Sequence, residues 1–204
     1  MKTISQGAEA IIYLNKEKII KDRISKKYRH PEIDKKIIKR RTKAETKILD
    51  KVSEIISAPK PEKSKEDNKI VMPYINGKRL SQSLDSFPLE KQKEIMKLIG
   101  ISVSKLHKEG IIHGDLTTSN MILIEKPKLE VYFIDFGLGY QNGKYEDKGV
   151  DIHLLKQALE AKHFKNWKTL FKEFEKAYKK LEPTESKKVF ERLKSIEKRG
   201  RYRH

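Results

Sequence analysis

Hydrophobic and polar positions divide the 204-residue chain into a strand-rich beginning and a mostly helical remainder. At the beginning, short apolar runs alternate with the turn residues Gly7 and Asn15, which predicts a small antiparallel sheet. Its first three strands are expected over residues 4–10, 10–14 and 18–21. A further strand is expected after a polar loop, and it ends at Asn76-Gly77. That strand covers residues 70–75.

A long amphipathic helix is predicted between the third and fourth strands. Pro31 suits its first turn, and Glu32 and Asp34 suit the positive end of the helix dipole. One stripe of the helix is apolar except for Glu45. The stripe comprises Ile38, Glu45, Leu49, Val52 and Ile56. A carboxylate in such a stripe either has a buried partner or reaches water at the edge of the helix.

The second half of the chain is predicted to be mostly helical. Its helices begin at Pro88, near Asp151, at Trp167 and at Pro183, and Gly110 ends the first of them. Two more strands are expected between the first and second of these helices. They cover residues 121–124 and 131–134.

The chain is strongly basic, with 47 Lys and Arg against 29 Asp and Glu and a formal net charge of +18. Residues 16–51 hold 15 basic and 6 acidic side chains, and residues 187–203 hold 8 basic and 2 acidic ones. This distribution fits a polyanionic partner such as a nucleic acid. It fits a lysine-rich, solvated surface equally well.

Composition excludes several classes of protein. There is no cysteine, which excludes disulfides, zinc–thiolate sites and thiol catalysis. The apolar runs are only a few residues long, so we expect no membrane-spanning helix, and the first residues show no secretory signal. These features are typical of a cytoplasmic protein.

Two short motifs in the second half carry the candidate chemistry. Asp115 and Asn120 stand five residues apart in His-Gly-Asp-Leu-Thr-Thr-Ser-Asn, and Asp135 begins an Asp-Phe-Gly motif after the next pair of strands. In this order the two motifs indicate a protein-kinase active site. Phosphoryl transfer from ATP needs Mg²⁺, for which Asn120 and Asp135 supply oxygen ligands, and a carboxylate, here Asp115, that orients the attacking oxygen and takes its proton. The alternative makes Asp115 and Asn120 turn formers in a solvated loop.

The remaining parts of an ATP site have candidates in the first half. Lys21 ends the third strand, where a lysine would contact the α- and β-phosphates, and pairing with Lys21 would explain the carboxylate of Glu45. The alternative interpretation is that Lys21 is an ordinary exposed lysine with no role in the site. At the hinge after the fourth strand, Met72, Pro73 and Ile75 are expected beside the adenine. Pro73 has no N–H and would offer its carbonyl, and Ile75 would donate its N–H.

Two segments depart from the usual kinase pattern. The nucleotide loop has one glycine, so we expect fewer backbone contacts to phosphate and slower or differently regulated turnover. That loop is Gly7, Ala8, Glu9 and Ala10.

The second departure follows Gly137. Only 13 residues separate it from Asp151, which resembles the buried aspartate of the first core helix of a kinase C-lobe. An activation segment has no room there. Gly114 also replaces the usual arginine, so we expect a constitutively assembled site or control by a partner.

These parts together predict an α+β, two-lobed, protein-kinase-like fold of minimal size. Residues 1–75 would form an N-lobe of antiparallel strands with one long helix. Residues 76–197 would form a truncated, mostly helical C-lobe, and residues 198–204 a basic C-terminal tail.

Along almost its whole length the chain resembles one family, the small atypical serine/threonine kinase/ATPase subunit of the KEOPS (EKC) tRNA-modification complex, which is a RIO-like small kinase of archaeal type. The stretches that carry this resemblance extend beyond the general kinase motifs. They are residues 7–10, 21–34, 40–45 and 113–121 and the basic residues around Arg199-Gly200-Arg201.

The resemblance implies a role in threonylcarbamoylation of the tRNA adenosine beside the anticodon, with ATP hydrolysis, Mg²⁺ and autophosphorylation on serine or threonine. It implies a transferase partner with an actin-like ATPase fold and a small subunit on the N-lobe. The basic segments would then follow tRNA phosphates. Tyr202 would stack on a single-stranded end, or it is simply a residue of the tail. The candidate contacts in the tail are Lys198, Arg199, Arg201 and Arg203.

Two other functions stay open on these residues. A small-molecule phosphotransferase of the aminoglycoside or choline kinase type shares His-Gly-Asp, but it has a large acidic C-lobe for which this chain lacks length and charge. A non-catalytic tRNA-binding scaffold would bind tRNA with a steep salt dependence and without magnesium-dependent loss of ATP. Against a scaffold, all the residues of a working site are present. They are Lys21, Glu45, Asp115, Asn120 and Asp135.

Overall fold

The computed structural model describes the backbone of residues 1–201 and the side chains as far as Arg199. The N-terminal lobe contains a four-stranded antiparallel sheet in the order β1-β2-β3-β4. Its strands are β1 (Lys2–Gln6), β2 (Ala10–Asn15), β3 (Lys18–Arg23) and β4 (Lys69–Pro73). The fold class predicted from the sequence is confirmed.

Helix α1 (Pro31–Ser53) connects β3 to β4 and begins at the predicted proline. Its C-terminal half buries Leu49 and Val52 in the same hydrophobic cluster as Phe136 of the second lobe. This continuous core fixes α1 against both lobes. It also places Glu45, one turn before Leu49, at the boundary between them, because residues at i and i+4 share a helix face.

The C-terminal lobe has a small antiparallel sheet and five helices. The sheet consists of β5 (Lys78–Arg79), β6 (Met121–Ile124) and β7 (Glu130–Phe133). The helices are α2 (Leu80–Ser83), α3 (Leu89–Lys108), α4 (Tyr145–Lys162), α5 (Trp167–Leu181) and α6 (Pro183–Arg201). We did not expect β5 and α2, because two charged residues followed by one turn of helix carry no periodic pattern. Within residues 1–201, no helix is both long enough and apolar enough to cross a membrane.

Two helix boundaries differ from the prediction. Helix α4 begins at Tyr145, well before Asp151, because Asp147 accepts a hydrogen bond from the backbone N–H of Lys144 and so supports an earlier first turn. Helix α4 contacts both α5 and α6 through one buried face, which includes Ile152, Leu155 and Leu159. Helix α6 continues to Arg201, and the first residues of the expected tail are therefore helical.

Candidate active site

A cavity of about 260 Å³ lies between the lobes and brings together most of the residues predicted for the site. Both lobes contribute to it. The predicted residues that line it are Lys21, Glu45, Met72, Pro73, Ile75, Asn120 and Asp135.

Lys21 on β3 connects the two lobes through two carboxylates. Its Nζ donates hydrogen bonds to Glu45 Oε1 at 2.6 Å and to Asp135 Oδ1 at 2.8 Å. Lys21 is 7% exposed and Glu45 2%, so the ion pair expected from motif order is present and buried. Burial alone would lower the pKa of Lys21, but the charges of Glu45 and Asp135 raise it above its ordinary value. The lysine therefore stays charged at neutral pH.

Asp135 follows β7 in an unusual backbone conformation, with φ of 62°. Its Oδ1 also accepts a hydrogen bond from the Gly137 N–H at 3.3 Å. A Cβ atom at Gly137 would lie 3.1 Å from that oxygen, so a side chain there would displace the carboxylate by a few tenths of an ångström. Burial would raise the pKa of Asp135, but the charge of Lys21 holds it below its ordinary value, so the carboxylate is ionised.

Arg23 was not predicted as part of the site. It follows Lys21 by two positions on β3, so both side chains point to the same face of the sheet. Its Nη2 donates to Glu45 Oε2 at 2.5 Å, so each oxygen of this buried carboxylate has its own cation. The predicted strand ended at Lys21, and the alternation Lys-Asp-Arg that continues past it was the signal that could have revealed Arg23.

The nucleotide loop contacts α1 through Glu9. Arg41 Nη1 donates to Glu9 Oε2 at 2.6 Å, and Arg23 Nη1 lies 3.9 Å from the same oxygen. The loop, residues 7–10, does not line the interlobe cavity. Its contribution to nucleotide binding stays a prediction.

Asp115 and Asn120 meet within the catalytic loop, residues 113–120. Asn120 Nδ2 donates to Asp115 Oδ2 at 2.8 Å and to the Asp115 backbone carbonyl at 2.9 Å. Both amide hydrogens of Asn120 are used in this way, which leaves its Oδ1 to bind a cation. The backbone N–H of Ile134 donates to the Asn120 carbonyl at 3.0 Å and brings Asp135 alongside the loop.

These oxygen atoms fit Mg²⁺ bound together with a nucleotide. Asn120 offers Oδ1, and Asp135 offers Oδ2 because its other oxygen is bound to Lys21. Among the residues that the structure describes, no cluster of three or more His, Asp or Glu could hold a metal. Two protein oxygens suit an ion that takes its remaining ligands from phosphates and water.

Asp151 on α4 supports the first residues of the catalytic loop. It is 1% exposed and accepts hydrogen bonds from the backbone N–H groups of His113 at 2.7 Å and Gly114 at 2.9 Å. His107 Nε2 donates to it at 3.3 Å, and His107 Nδ1 accepts from the Tyr178 hydroxyl at 2.9 Å. Burial would raise the pKa of Asp151, but the hydrogen bond from His107 holds it below its ordinary value. The expected buried aspartate is therefore in place.

His163, at the end of α4, supports the last residues of the loop. Its buried ring lies 3.1 Å from Thr118 Oγ1 through Nε2 and 3.0 Å from Asp85 Oδ1 through Nδ1. Thr118 begins the short 3₁₀ turn that carries Asn120. Helix α4 thus holds the catalytic loop at both ends, through Asp151 and His163. Sequence reasoning did not find His163.

The segment after Gly137 folds directly onto the residues before the catalytic loop. Ile112 and Tyr140 exchange backbone hydrogen bonds of 2.9 and 3.1 Å, and the Gly143 N–H donates to the Gly110 carbonyl at 2.9 Å. Helix α4 begins two residues later, at Tyr145. No long activation segment is present in this part of the chain.

The same fold-back explains Gly114, which stands where ordinary kinases have an arginine. Gly114 has φ of 81°, and a Cβ atom there would lie 2.3 Å from the Leu138 carbonyl oxygen. Neighbouring His113 packs its ring 4.4 Å from the ring of Phe136, centroid to centroid. Burial lowers the pKa of His113, so the imidazole is neutral at physiological pH.

At the hinge, the backbone N–H of Tyr74 donates to the Glu17 carbonyl at 2.8 Å and is therefore not available to a base. Pro73 closes β4 on one side of Tyr74, and Ile75 follows on the other. Both line the cavity. The adenine contacts assigned to Pro73 and Ile75 stay predictions.

The predicted nucleic-acid contacts at the C-terminus are only partly described. Lys198 is exposed on α6, whereas Arg199 forms an ion pair with Glu146 at the beginning of α4. The side chain of Arg201, together with Tyr202 and Arg203, lies outside the described residues.

The fold and the site define a kinase, and the short connection after Gly137 makes it an atypical one. A profile of the RIO domain matches residues 9–143. The KEOPS complex subunit Bud32 of Pyrococcus abyssi is 43% identical over 216 residues, covering 100% of this chain and 97% of the relative. A probable serine/threonine-protein kinase BUD32 homolog of Archaeoglobus fulgidus is 37% identical over 197 residues, covering 96% of this chain and 94% of the relative. The chain therefore belongs to the RIO-domain family, as one of the Bud32-type kinases.

A third relative is longer than this chain. A probable bifunctional tRNA threonylcarbamoyladenosine biosynthesis protein of Methanobrevibacter smithii is 38% identical over 207 residues, covering 98% of this chain. The match spans only 37% of that protein. In this relative, the kinase-like part is joined to further sequence.

Proposed function

We propose that the chain is an ATP- and Mg²⁺-dependent atypical serine/threonine kinase with ATPase activity, and that it acts as a subunit of a KEOPS-type complex in tRNA threonylcarbamoyladenosine synthesis. The observation that carries the catalytic part is Lys21 Nζ, which lies within hydrogen-bond distance of both Glu45 and Asp135 in the interlobe cavity. The names of the relatives from Pyrococcus abyssi and Methanobrevibacter smithii support the assignment to the complex and to the tRNA modification.

The polar side chains at the site have tasks that follow from their positions, although Asp115 itself does not line the cavity. Lys21, held by Glu45, would contact the phosphates of ATP. Asn120 and Asp135 would hold Mg²⁺, which neutralises phosphate charge. Asp115 would orient the attacking oxygen and take its proton, because Asn120 fixes the direction of its carboxylate.

The acceptor of the phosphoryl group would be water or a serine or threonine of the chain itself. Ordinary kinases hold a peptide substrate on the activation segment, and here the paired backbones of Ile112 and Tyr140 take the place of such a segment. This geometry favours ATP hydrolysis and autophosphorylation over phosphorylation of many different peptides.

The proposed partners are a transferase subunit with an actin-like ATPase fold, a small subunit on the N-lobe, and tRNA, in the cytoplasm. The relative from Methanobrevibacter smithii supports a close association with another catalytic unit, because it is named bifunctional and is much longer than this chain. The net charge of +18 supports binding to a polyanion.

ATP hydrolysis by the chain together with the transferase subunit, with and without tRNA, tests this proposal. Asp115→Asn is expected to lower kcat by about 10²- to 10⁴-fold with an unchanged thermal midpoint, because general acid–base catalysis contributes on that order. Asp50→Asn, an exposed carboxylate on α1, is the matched control and should leave kcat unchanged. Full turnover by Asp115→Asn contradicts the catalytic proposal.

Two other outcomes would favour the alternative functions. Binding of tRNA by a chain that never consumes ATP would indicate a non-catalytic scaffold, and phosphorylation of small alcohols would indicate a small-molecule kinase.

A further inference from the structure

The loop between β3 and α1, residues 24–30, presents cationic and aromatic groups that the proposed chemistry does not use. We call it the β3–α1 loop. Tyr28 is 78% exposed, and Lys27 and His30 beside it are also exposed. Lys26 and Arg29 complete a run of basic residues around the ring. Tyr28 is thus an exposed aromatic ring within a run of cations, a combination that a polyanionic partner can contact.

A buried carboxylate organises this loop. Asp34, in the first turn of α1, is 1% exposed. It accepts hydrogen bonds from Ser25 Oγ at 2.6 Å, the Lys26 N–H at 3.0 Å and Arg29 Nη1 at 3.2 Å. The conformation of the loop is therefore largely set before any partner binds. Such preorganisation reduces the entropy cost of binding.

Arg29 positions the exposed ring. Its guanidinium carbon lies 5.3 Å from the centroid of the Tyr28 ring, and its Nη2 donates to the Tyr28 hydroxyl at 3.2 Å. The ring is thereby given an orientation while most of its surface stays in solvent. Lys35 and Lys36, exposed on the first turns of α1, extend the positive charge next to the loop.

We propose that the β3–α1 loop binds a single-stranded segment of RNA. Tyr28 stacks on an unpaired base, Lys26 and Lys27 lie along the phosphates, and Arg29 keeps the ring in place. Unpaired bases stack on exposed aromatic side chains, and cations beside them follow the backbone. An acidic protein segment would satisfy the charges but would leave the oriented ring without a specific partner, so the aromatic group favours RNA.

This inference rests on the proposed function, since RNA is the substrate class of the tRNA modification. The loop is also connected to the nucleotide loop, because the Ile24 N–H donates to the Glu9 carbonyl at 3.2 Å. RNA bound at Tyr28 would therefore lie next to the N-lobe side of the ATP site.

The test measures binding of the full chain to a labelled single-stranded oligouridine and to a labelled tRNA. Tyr28→Leu is expected to weaken binding of the oligouridine about 5- to 100-fold, because one stacked base contributes on that order. Tyr28→Phe keeps the ring and should bind like the wild type. Phe164→Leu is the matched control, since Phe164 is 71% exposed between α4 and α5, away from the loop, and it should change nothing.

A second variant tests the electrostatic part. Lys27→Ala should lower the slope of log K against log salt for the oligouridine by about 0.7, the contribution of one phosphate contact on a single strand. Both Tyr28 and Lys27 are exposed, so the variants should unfold at the wild-type temperature.

Each outcome decides the inference. Oligouridine affinity that is the same in Tyr28→Leu and the wild type overturns it. A wild type that binds no RNA overturns it as well, and magnesium-dependent ATP hydrolysis measured on the same sample shows whether the catalytic part of the proposed function survives separately. Polyglutamate that displaces the oligouridine from the wild type and from Tyr28→Leu equally well overturns it in favour of an acidic protein partner.

Discussion

The two lobes support the active site by different physical means. In the N-terminal lobe, opposite charges hold each other: the carboxylate of Glu45 is shared between Lys21 and Arg23, and Lys21 reaches Asp135 across the cleft. In the C-terminal lobe, Asp151 is the buried anion, and it accepts mostly from backbone N–H groups and a histidine ring.

The difference separates a network around Lys21, which carries chemistry across the cleft, from a network around Asp151, which carries geometry. Lys21 and Asp135 line the cavity, so a change in their charge balance alters what the cavity offers to a triphosphate. Asp151 and His107 are buried behind the catalytic loop, so their removal should act first on stability. We therefore expect variants of the Lys21 network to change ATP binding most and variants of the Asp151 network to change stability most.

The largest effect is expected for Asp151→Ala. It leaves the backbone N–H groups of His113 and Gly114 without their acceptor in the protein interior, and each buried unpaired donor is costly. The free energy of unfolding should fall by about 3 kcal/mol or more, measured by urea denaturation. Asp147→Ala is the control on the same helix, because it removes only the partly exposed carboxylate of the first turn and should cost about 1 kcal/mol. Equal losses for the two variants would contradict a buried support role.

The pH dependence of this loss has a defined sign. The pKa of Asp151 in the folded chain is held below its ordinary value of 3.8, mainly by its hydrogen bonds and against the effect of burial. Its contribution to stability is therefore fully present above about pH 4 and disappears as the pH falls through the folded-state pKa. The difference in stability between wild type and Asp151→Ala should shrink in acid. A difference that grows below pH 4 would contradict this reasoning.

The contrast between the lobes also explains what the sequence could predict. Lys21, Glu45, Asp115, Asn120 and Asp135 were found because motif spacing and local periodicity identify them. Glu45 in particular was identifiable as a carboxylate within an apolar stripe. The strands other than β5 and the long helices followed from the same local patterns.

Apart from Asp151, the supporting groups could not be found in this way, because their partners are distant in the chain. His163 lies 78 positions from Asp85, and His107 lies 71 positions from Tyr178. Such pairs exist only once the helices have packed, and no local pattern indicates them. The glycine at 114 is similar, since the carbonyl that excludes a side chain there belongs to Leu138.

An intermediate effect is expected for Arg23→Gln, which tests the N-terminal network. Without Arg23, both oxygens of the buried Glu45 carboxylate compete for Lys21, and the lysine becomes less available to phosphates. The KM for ATP should rise about 10-fold or more, on the scale of one charge-assisted hydrogen bond, with a smaller change in kcat.

Two variants serve as controls for Arg23→Gln. Arg23→Lys keeps one cation near Glu45 and should recover part of the affinity for ATP. Arg41→Gln removes a half-exposed arginine that contacts Glu9, and it should shift the KM much less. If Arg41→Gln matches Arg23→Gln, the effect comes from the nucleotide loop and the assignment of Arg23 to Glu45 is wrong.

The smallest effect is expected for Tyr178→Phe in the C-terminal network. The substitution removes the hydroxyl that donates to His107 Nδ1 but keeps the ring, which packs within 6 Å of the rings of Phe174 and Phe190, centroid to centroid. The free energy of unfolding should fall by about 1 kcal/mol, the typical net contribution of one hydrogen bond.

The KM for ATP should be unchanged in Tyr178→Phe, because Tyr178 reaches the catalytic loop only through His107 and Asp151. Tyr132→Phe is the control: Tyr132 is half-buried on β7, and its change should stay within about 0.5 kcal/mol. Stability and KM measured on the same preparations decide the comparison between the lobes. A rise in KM for Tyr178→Phe as large as that for Arg23→Gln would show that the buried network also controls nucleotide binding, and the separation of chemistry from geometry would then fail.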